Sequence, residues 1–199
     1  MITKKQLRKE VLQVRDSLTI LERKEKSDSI AKQVSSRKEF LEADQYLLFA
    51  SFRSEVDTSY LLSQALETHK PVYLPKVLGK EMKFYQIESL HELEQGYQGI
   101  PEPREETHRE FVPIRDQKIF VLIPGAVFDR DGGRIGYGGG FYDKFLGFLE
   151  NKVPRENLCK MAVAYECQII SSGIISQEMH DISPDYIVTE NSCIKIKNQ

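Results

Sequence analysis

The chain has 199 residues, with 28 lysines and arginines against 30 aspartates and glutamates, a formal net charge of -2. That balance lacks the basic character of a nucleic-acid binder, while 40% hydrophobic and 10% aromatic residues suffice for a sizeable core. No apolar run approaches the ~20 residues that span a bilayer, and the first residues are charged where a signal peptide is hydrophobic, so a cytoplasmic protein without a membrane partner is expected.

Residues 3 to 17 read as an amphipathic helix opened by Thr3 with Gln6 as a capping pair. At about 100° per residue, Leu7, Val11, Val14 and Leu18 share one stripe. Lys4, Arg8 and Arg15 border that stripe, whereas Lys5 and Lys9 point elsewhere. Thr19 with Glu22 is a second capping box and starts a charged helix running to about Lys38. From residue 45, short apolar runs alternate with helical ones: QYLLFAS, a helix from Thr58 to Glu67, PVYLP, then MKFYQI. Residues 88 to 118 read as mostly polar loop. KIFVLIP, a helix from Tyr142 to Asn151, CKMAVAY and DYIVTE complete the series. This grammar predicts an α/β fold over residues 1 to 199, a single Rossmann-like three-layer domain with a mainly parallel sheet and helices on both faces. Ligands of such sheets bind outside the carboxyl ends of the strands. Cys159, Cys167 and Cys193 are odd in number and lack metal-site spacing, and read as reduced thiols.

Residues 132 to 140 hold six of the chain's twelve glycines, between the KIFVLIP strand and the FYDKFL helix start. Glycines free the backbone to bring N–H groups up to a phosphate, and the helix dipole favours an anion at the same spot. The run is neither GxxxxGK[ST] nor a clean GxGxxG, so neither a P-loop nor a dinucleotide fold follows. Arg134 enters the glycine run. Asp143 is either a helix-start carboxylate complementing the dipole or, beside a phosphate cradle, a ligand for an intervening Mg²⁺. Asp181 reads as a turn residue or a second acidic ligand, with Asp185 as the alternative. His180 points away from Asp181 in an extended segment, and His69, His91 and His108 read as surface residues. Glu55 lies just past a strand end, where Asp57 and Thr58 cap the next helix and leave it spare. A buried carboxylate there can accept two N–H groups of a ligand with charge assistance. Phe84, Tyr85 and the GIPEP turn are the candidate apolar walls.

The RIGYGGGFYD run closely resembles the glycine-rich signature of the 5-formyltetrahydrofolate cyclo-ligase family, where an arginine precedes a GYGGGYYD-like run. Departures are conservative: Ile135 for leucine, Phe141 for the first tyrosine and Lys144 for arginine. The resemblance extends through KKQLRKEV, SFRSEVDT, LPKV, GIPEP and HDISPDYIVTE, and so over nearly all of the chain. It implies conversion of 5-formyltetrahydrofolate to 5,10-methenyltetrahydrofolate with ATP and Mg²⁺, releasing ADP and phosphate. ATP contacts carry over to Lys4 and Arg8 with the intervening Lys5, Gln6 and Leu7. They carry over also to Arg134, Ile135, Gly136, Tyr137, Gly138, Gly139, Gly140, Phe141 and Tyr142. The resemblance assigns Ala50 and Glu55 to the folate, Asp143 and Asp181 to the metal, and Arg134 and Asp143 to catalysis. A monomer is expected. A sugar-phosphate isomerase, or a nucleotide- or folate-binding regulator without turnover, are the rival classes.

Overall fold

The computed structural model describes residues 3–105, 108–178 and 181–197 and is organised around a seven-stranded sheet. In chain order the helices are α1 (Lys4–Asp16), α2 (Ile20–Ser35), α3 (Lys38–Leu41), α4 (Ser59–Glu67) and α5 (Phe141–Glu150). The strands are β1 (Gln45–Leu47), β2 (Val72–Leu78), β3 (Glu81–Ile87), β4 (Glu94–Gln95), β5 (Pro101–Glu102) and β6 (Ile119–Ile123). They continue with β7 (Val127–Asp129), β8 (Arg134–Ile135), β9 (Leu158–Val163), β10 (Ile169–Ile170), β11 (Tyr186–Val188) and β12 (Cys193–Lys195). The main sheet runs β12-β11-β9-β6-β1-β2-β3. It is parallel from β11 to β2, with an antiparallel strand at each edge.

Strand alternation builds the layers, because successive side chains point to opposite faces. Tyr46, Leu48, Phe120, Leu122, Met161 and Val163 join one core with Ile30, Val34, Leu61 and Ala65 of α2 and α4. Leu47, Val121, Ile123 and Ala162 join a second core with Leu146 and Leu149 of α5 on the other face. Central strands covered on both sides must be apolar throughout, and every residue of β6 is buried. The expected three-layer arrangement is therefore present, and no helix among the described residues is long and apolar enough to cross a membrane. A smaller sheet, β10-β7-β8, seats α1 through Val11 against Val127 and Ile135.

Local signals set the helix starts. Thr3 Oγ1 accepts from the Gln6 N–H at 3.2 Å, and Thr19 with Glu22 forms the full reciprocal capping box. The second helix ends at Ser35 and α3 is a separate turn, shorter than the single helix expected to Lys38. Residues 88–118 are not only loop: β4 and β5 form a small antiparallel hairpin. The cysteines are free thiols.

Candidate active site

The carboxyl ends of β1 and β6, the glycine loop and the β4–β5 hairpin enclose a cavity of about 340 Å³. Ala50, Phe52 and Glu55 enter from the segment after β1, Pro75 and Val77 from β2, and Met82 from β3. Ile100 and Pro101 of the GIPEP turn cover it, Arg15 reaches in from α1, and Arg134 to Asp143 supply the remaining wall. The hairpin is held over the site by Lys76 Nζ donating to Pro103 O at 2.9 Å and by the Val77 N–H donating to Glu102 at 3.3 Å.

The glycine loop presents its backbone as the sequence suggests. Gly138 has φ +105° and Gly140 φ +64°, conformations that glycine adopts without strain, and Gly140 is the residue from which α5 starts. Arg8 lies over this loop, with Nη1 3.5 Å from where a Cβ on Gly138 would stand. Arg134 Nη2 donates to Asp143 Oδ1 at 2.5 Å, and the Ile182 N–H donates to the same oxygen at 3.3 Å. That second bond sets the backbone that follows Asp181 against Asp143. Lys4 Nζ in turn pairs with Asp181 at 2.9 Å and Glu178 at 3.5 Å. Desolvation works against the Lys4 ammonium, but these two carboxylates more than offset it and raise its pKa. Three buried polar atoms around the loop, Arg8 Nε, Arg134 Nε and Tyr142 Oη, make no hydrogen bond within the described residues. Orphaned donors beside a glycine backbone are what an anionic ligand satisfies.

Glu55 marks the other half of the cavity. It accepts from its own loop, from the Phe52 N–H, at 2.9 Å. Burial pushes its carboxyl above the ordinary range, against hydrogen bonding from Tyr137 and Phe52 and the charge of Arg15. Burial likewise raises the Tyr137 and Tyr142 hydroxyls, and the Glu55 charge adds to both shifts, so the two phenols stay protonated donors at neutral pH. Tyr137 leaves about half its surface in solvent, 48%, yet its hydroxyl is turned inward and accepts from Arg15 Nη1 at 2.7 Å.

The structure departs from the sequence reading at several positions. Phe84 and Tyr85 do not line the cavity. Phe84 packs under α5, 4.5 Å from the Phe145 ring, and Tyr85 points to the opposite face of β3; Pro75, Val77 and Met82 form that wall instead. Asp185 sits before β11, at the amino end of the sheet, where it accepts from Arg155 at 2.5 Å and from the Lys160 N–H at 2.8 Å. Its carboxylate is committed to those partners and does not line the cavity. Val14, expected inside, is 51% exposed, and Arg15 is buried in its place. Lys5 and Gln6 are exposed, Leu7 packs on the small sheet, and Ile135 is buried there. His69 and His91 are exposed, while His108 is tucked against Glu92 at 2.9 Å; His180 lies outside the described residues. Asp57 does cap α4, accepting from the Ser59 N–H, but Thr58 instead ties its loop to Phe49 O. The residue missed as a site component is Arg15, although its place beside Lys4 and Arg8 was the available signal.

Fold and cavity place the protein among α/β proteins whose ligand site spans the carboxyl ends of a parallel sheet. Comparison narrows the class. The 5-formyltetrahydrofolate cyclo-ligase family is matched over residues 1–190, so the chain belongs to that family and is an enzyme. It is 30% identical over 173 residues to the 5-formyltetrahydrofolate cyclo-ligase of Haemophilus influenzae, covering 85% of this chain and 89% of that one. To the probable 5-formyltetrahydrofolate cyclo-ligase of Schizosaccharomyces pombe it is 29% identical over 176 residues, covering 85% and 86%. Its fold is similar to that of Aquifex aeolicus 5,10-methenyltetrahydrofolate synthetase, with TM-score 0.81, 32% identity and coverage of 98% and 94%.

Proposed function

We propose that the enzyme converts 5-formyltetrahydrofolate to 5,10-methenyltetrahydrofolate, with ATP converted to ADP and phosphate. The observation that carries this reading is that one cavity joins the Glu55 carboxylate to a glycine loop ringed by Arg8, Arg134 and Tyr142 with unsatisfied donors. The first half suits the donor-rich edge of a pterin and the second a triphosphate.

The chemistry follows from the leaving-group problem. The formyl oxygen attacks the γ-phosphorus and the β–γ bridge breaks, releasing ADP. N10 then attacks the activated carbon, the C–O bond breaks as phosphate departs, and N10 loses its proton. Glu55 fixes the pterin, and the Pro75, Val77 and Met82 wall excludes water. Arg134 lies beside the transferring group, where a preorganised cation stabilises developing charge. No nucleophilic side chain is required.

The acidic pair fits a divalent cation. Asp143 accepts from the Ile182 N–H, next in the chain to Asp181, and the two aspartates now engage Arg134 and Lys4, which phosphate oxygens would take over. Mg²⁺ takes one or two carboxylates and completes its shell from phosphates and water, so a pair of aspartates is the donor set it would need here. Bound there, Mg²⁺ neutralises phosphate charge. Mixing the protein with 5-formyltetrahydrofolate should give the absorbance of the methenyl product only when both ATP and Mg²⁺ are present. Product without ATP, or none with both, defeats the reading.

A further inference from the structure

Arg15 is 5% exposed, yet it faces a cavity rather than a core. Burying a guanidinium is costly unless its donors are satisfied and a counter-charge is near. Its Nε donates to Ser54 Oγ at 3.0 Å and its Nη1 to Tyr137 Oη at 2.7 Å. Asp16 lies 4.0 Å from Nε but is 62% exposed and accepts from Ser54. Glu55, half-buried in the same cavity, is the other carboxylate whose charge Arg15 feels. Arg15 thus links α1 to two segments that the proposed function gives different ligands: Ser54 adjoins Glu55 in the folate half, and Tyr137 belongs to the glycine loop.

We propose that Arg15 is a positioning residue that, through Ser54 and Tyr137, fixes the Glu55 carboxylate as an acceptor in the cavity and ties it to the glycine loop. The step from Glu55 to folate rests on the function proposed above. The groups facing Glu55 are Arg15 from α1, Tyr137 from the glycine loop and Tyr142 from α5, with the Phe52 N–H from its own loop. Arg134 and Asp143 line the same cavity but are paired with each other. Of the facing groups only Arg15 is a cation, so it opposes the desolvation that drives Glu55 toward its neutral form. A neutral carboxyl loses one acceptor position and the charge assistance a pterin edge requires.

The test is a pH titration of the Glu55 carboxyl by carbon-13 NMR in the ligand-free protein, assigned by its loss in Glu55→Gln. It is paired with calorimetry of 5-formyltetrahydrofolate binding. Arg15→Met should move the Glu55 midpoint upward by about one pH unit or more and weaken folate binding about tenfold or more at neutral pH. Arg15→Lys should restore much of the midpoint but not the affinity, since one ammonium lacks the fork that spans Ser54 and Tyr137. A merely structural role would weaken binding without moving the midpoint. An unchanged midpoint in folded Arg15→Met overturns the proposal. If that variant does not fold, Tyr137→Phe decides, and an unchanged Glu55 midpoint and folate affinity there overturn it equally. Wild-type protein that fails to bind 5-formyltetrahydrofolate while the midpoint still responds to Arg15 sinks the folate reading and leaves the Arg15 link to Glu55 standing.

Discussion

The Arg134 side chain is 5% exposed and Asp143 21%, so their ion pair lies in a partly dry site. Breaking a buried pair from one side costs on the order of 3 to 5 kcal/mol because it strands the other charge. Asp143→Ala therefore mixes lost stability with lost rate, and Asp143→Asn is the cleaner probe, since its oxygen still accepts from Arg134 and Ile182. We expect Asp143→Asn, which keeps the hydrogen bonds but leaves the Arg134 charge unpaired, to melt below wild type and above Asp143→Ala, and to lose on the order of 10² to 10³ in turnover, most steeply at limiting Mg²⁺. Near wild-type rates at limiting Mg²⁺ would remove Asp143 from the metal site. Arg134, Asp143 and Glu55 were legible because each sits in a local pattern, a glycine run, a helix start or a strand end. Arg15 was not. Sequence places it on the border of an apolar stripe, but what it meets there, Ser54 and Tyr137, lies 39 and 122 residues away.

At the scale of elements, α1 shows both the strength and the weakness of periodicity. The phase is right in its first half: Lys4 turns to Asp181 and Arg8 to Gly138, while Lys5 and Lys9 are exposed. It fails at Val14 because the helix packs on the small sheet only as far as Val11 and Leu12, and then passes over the cavity, which receives Arg15. Hydrophobic periodicity assumes an apolar partner along the whole helix, and here the partner changes. Alanine at Lys4 and at Arg8 should raise the apparent KM for ATP severalfold or more, and alanine at Lys5 and at Lys9 should leave it within about twofold, consistent with exposed charges that interact weakly. If Lys5→Ala and Lys9→Ala are the damaging pair, nucleotide does not approach this face of α1. The β4–β5 hairpin escaped the sequence reading for a different reason: its strands are two residues each and carry no alternation to detect.

Across the whole molecule, the layers were legible because covering a parallel sheet on both faces forces continuous apolar runs such as IFVLI of β6. The antiparallel edge strand β12 was not, since its pairing with β11 leaves half-buried residues of mixed character. The cavity was legible least, being assembled from α1, the ends of β1 and β6, the hairpin and the glycine loop. Such a site carries a stability cost that the core must offset, and Glu55 makes the cost measurable. Its folded-state pKa is raised by burial, so the neutral form is compatible with folding and the ionised form opposes it. The contribution is harmless below the ordinary glutamate range and turns unfavourable as pH rises through the raised value. Glu55→Gln, neutral at every pH, should therefore melt higher than wild type in the ligand-free state at neutral pH. That gain should shrink as pH falls toward the ordinary carboxylate range. In the same variant, affinity for 5-formyltetrahydrofolate should drop by about 1 to 3 kcal/mol while affinity for ATP holds. Melting curves at neutral and acidic pH, with calorimetry for each ligand, separate these effects. A variant less stable than wild type at neutral pH would mean that Glu55 is held by favourable interactions that outweigh its desolvation, and that the site was built around its charge before any ligand arrived.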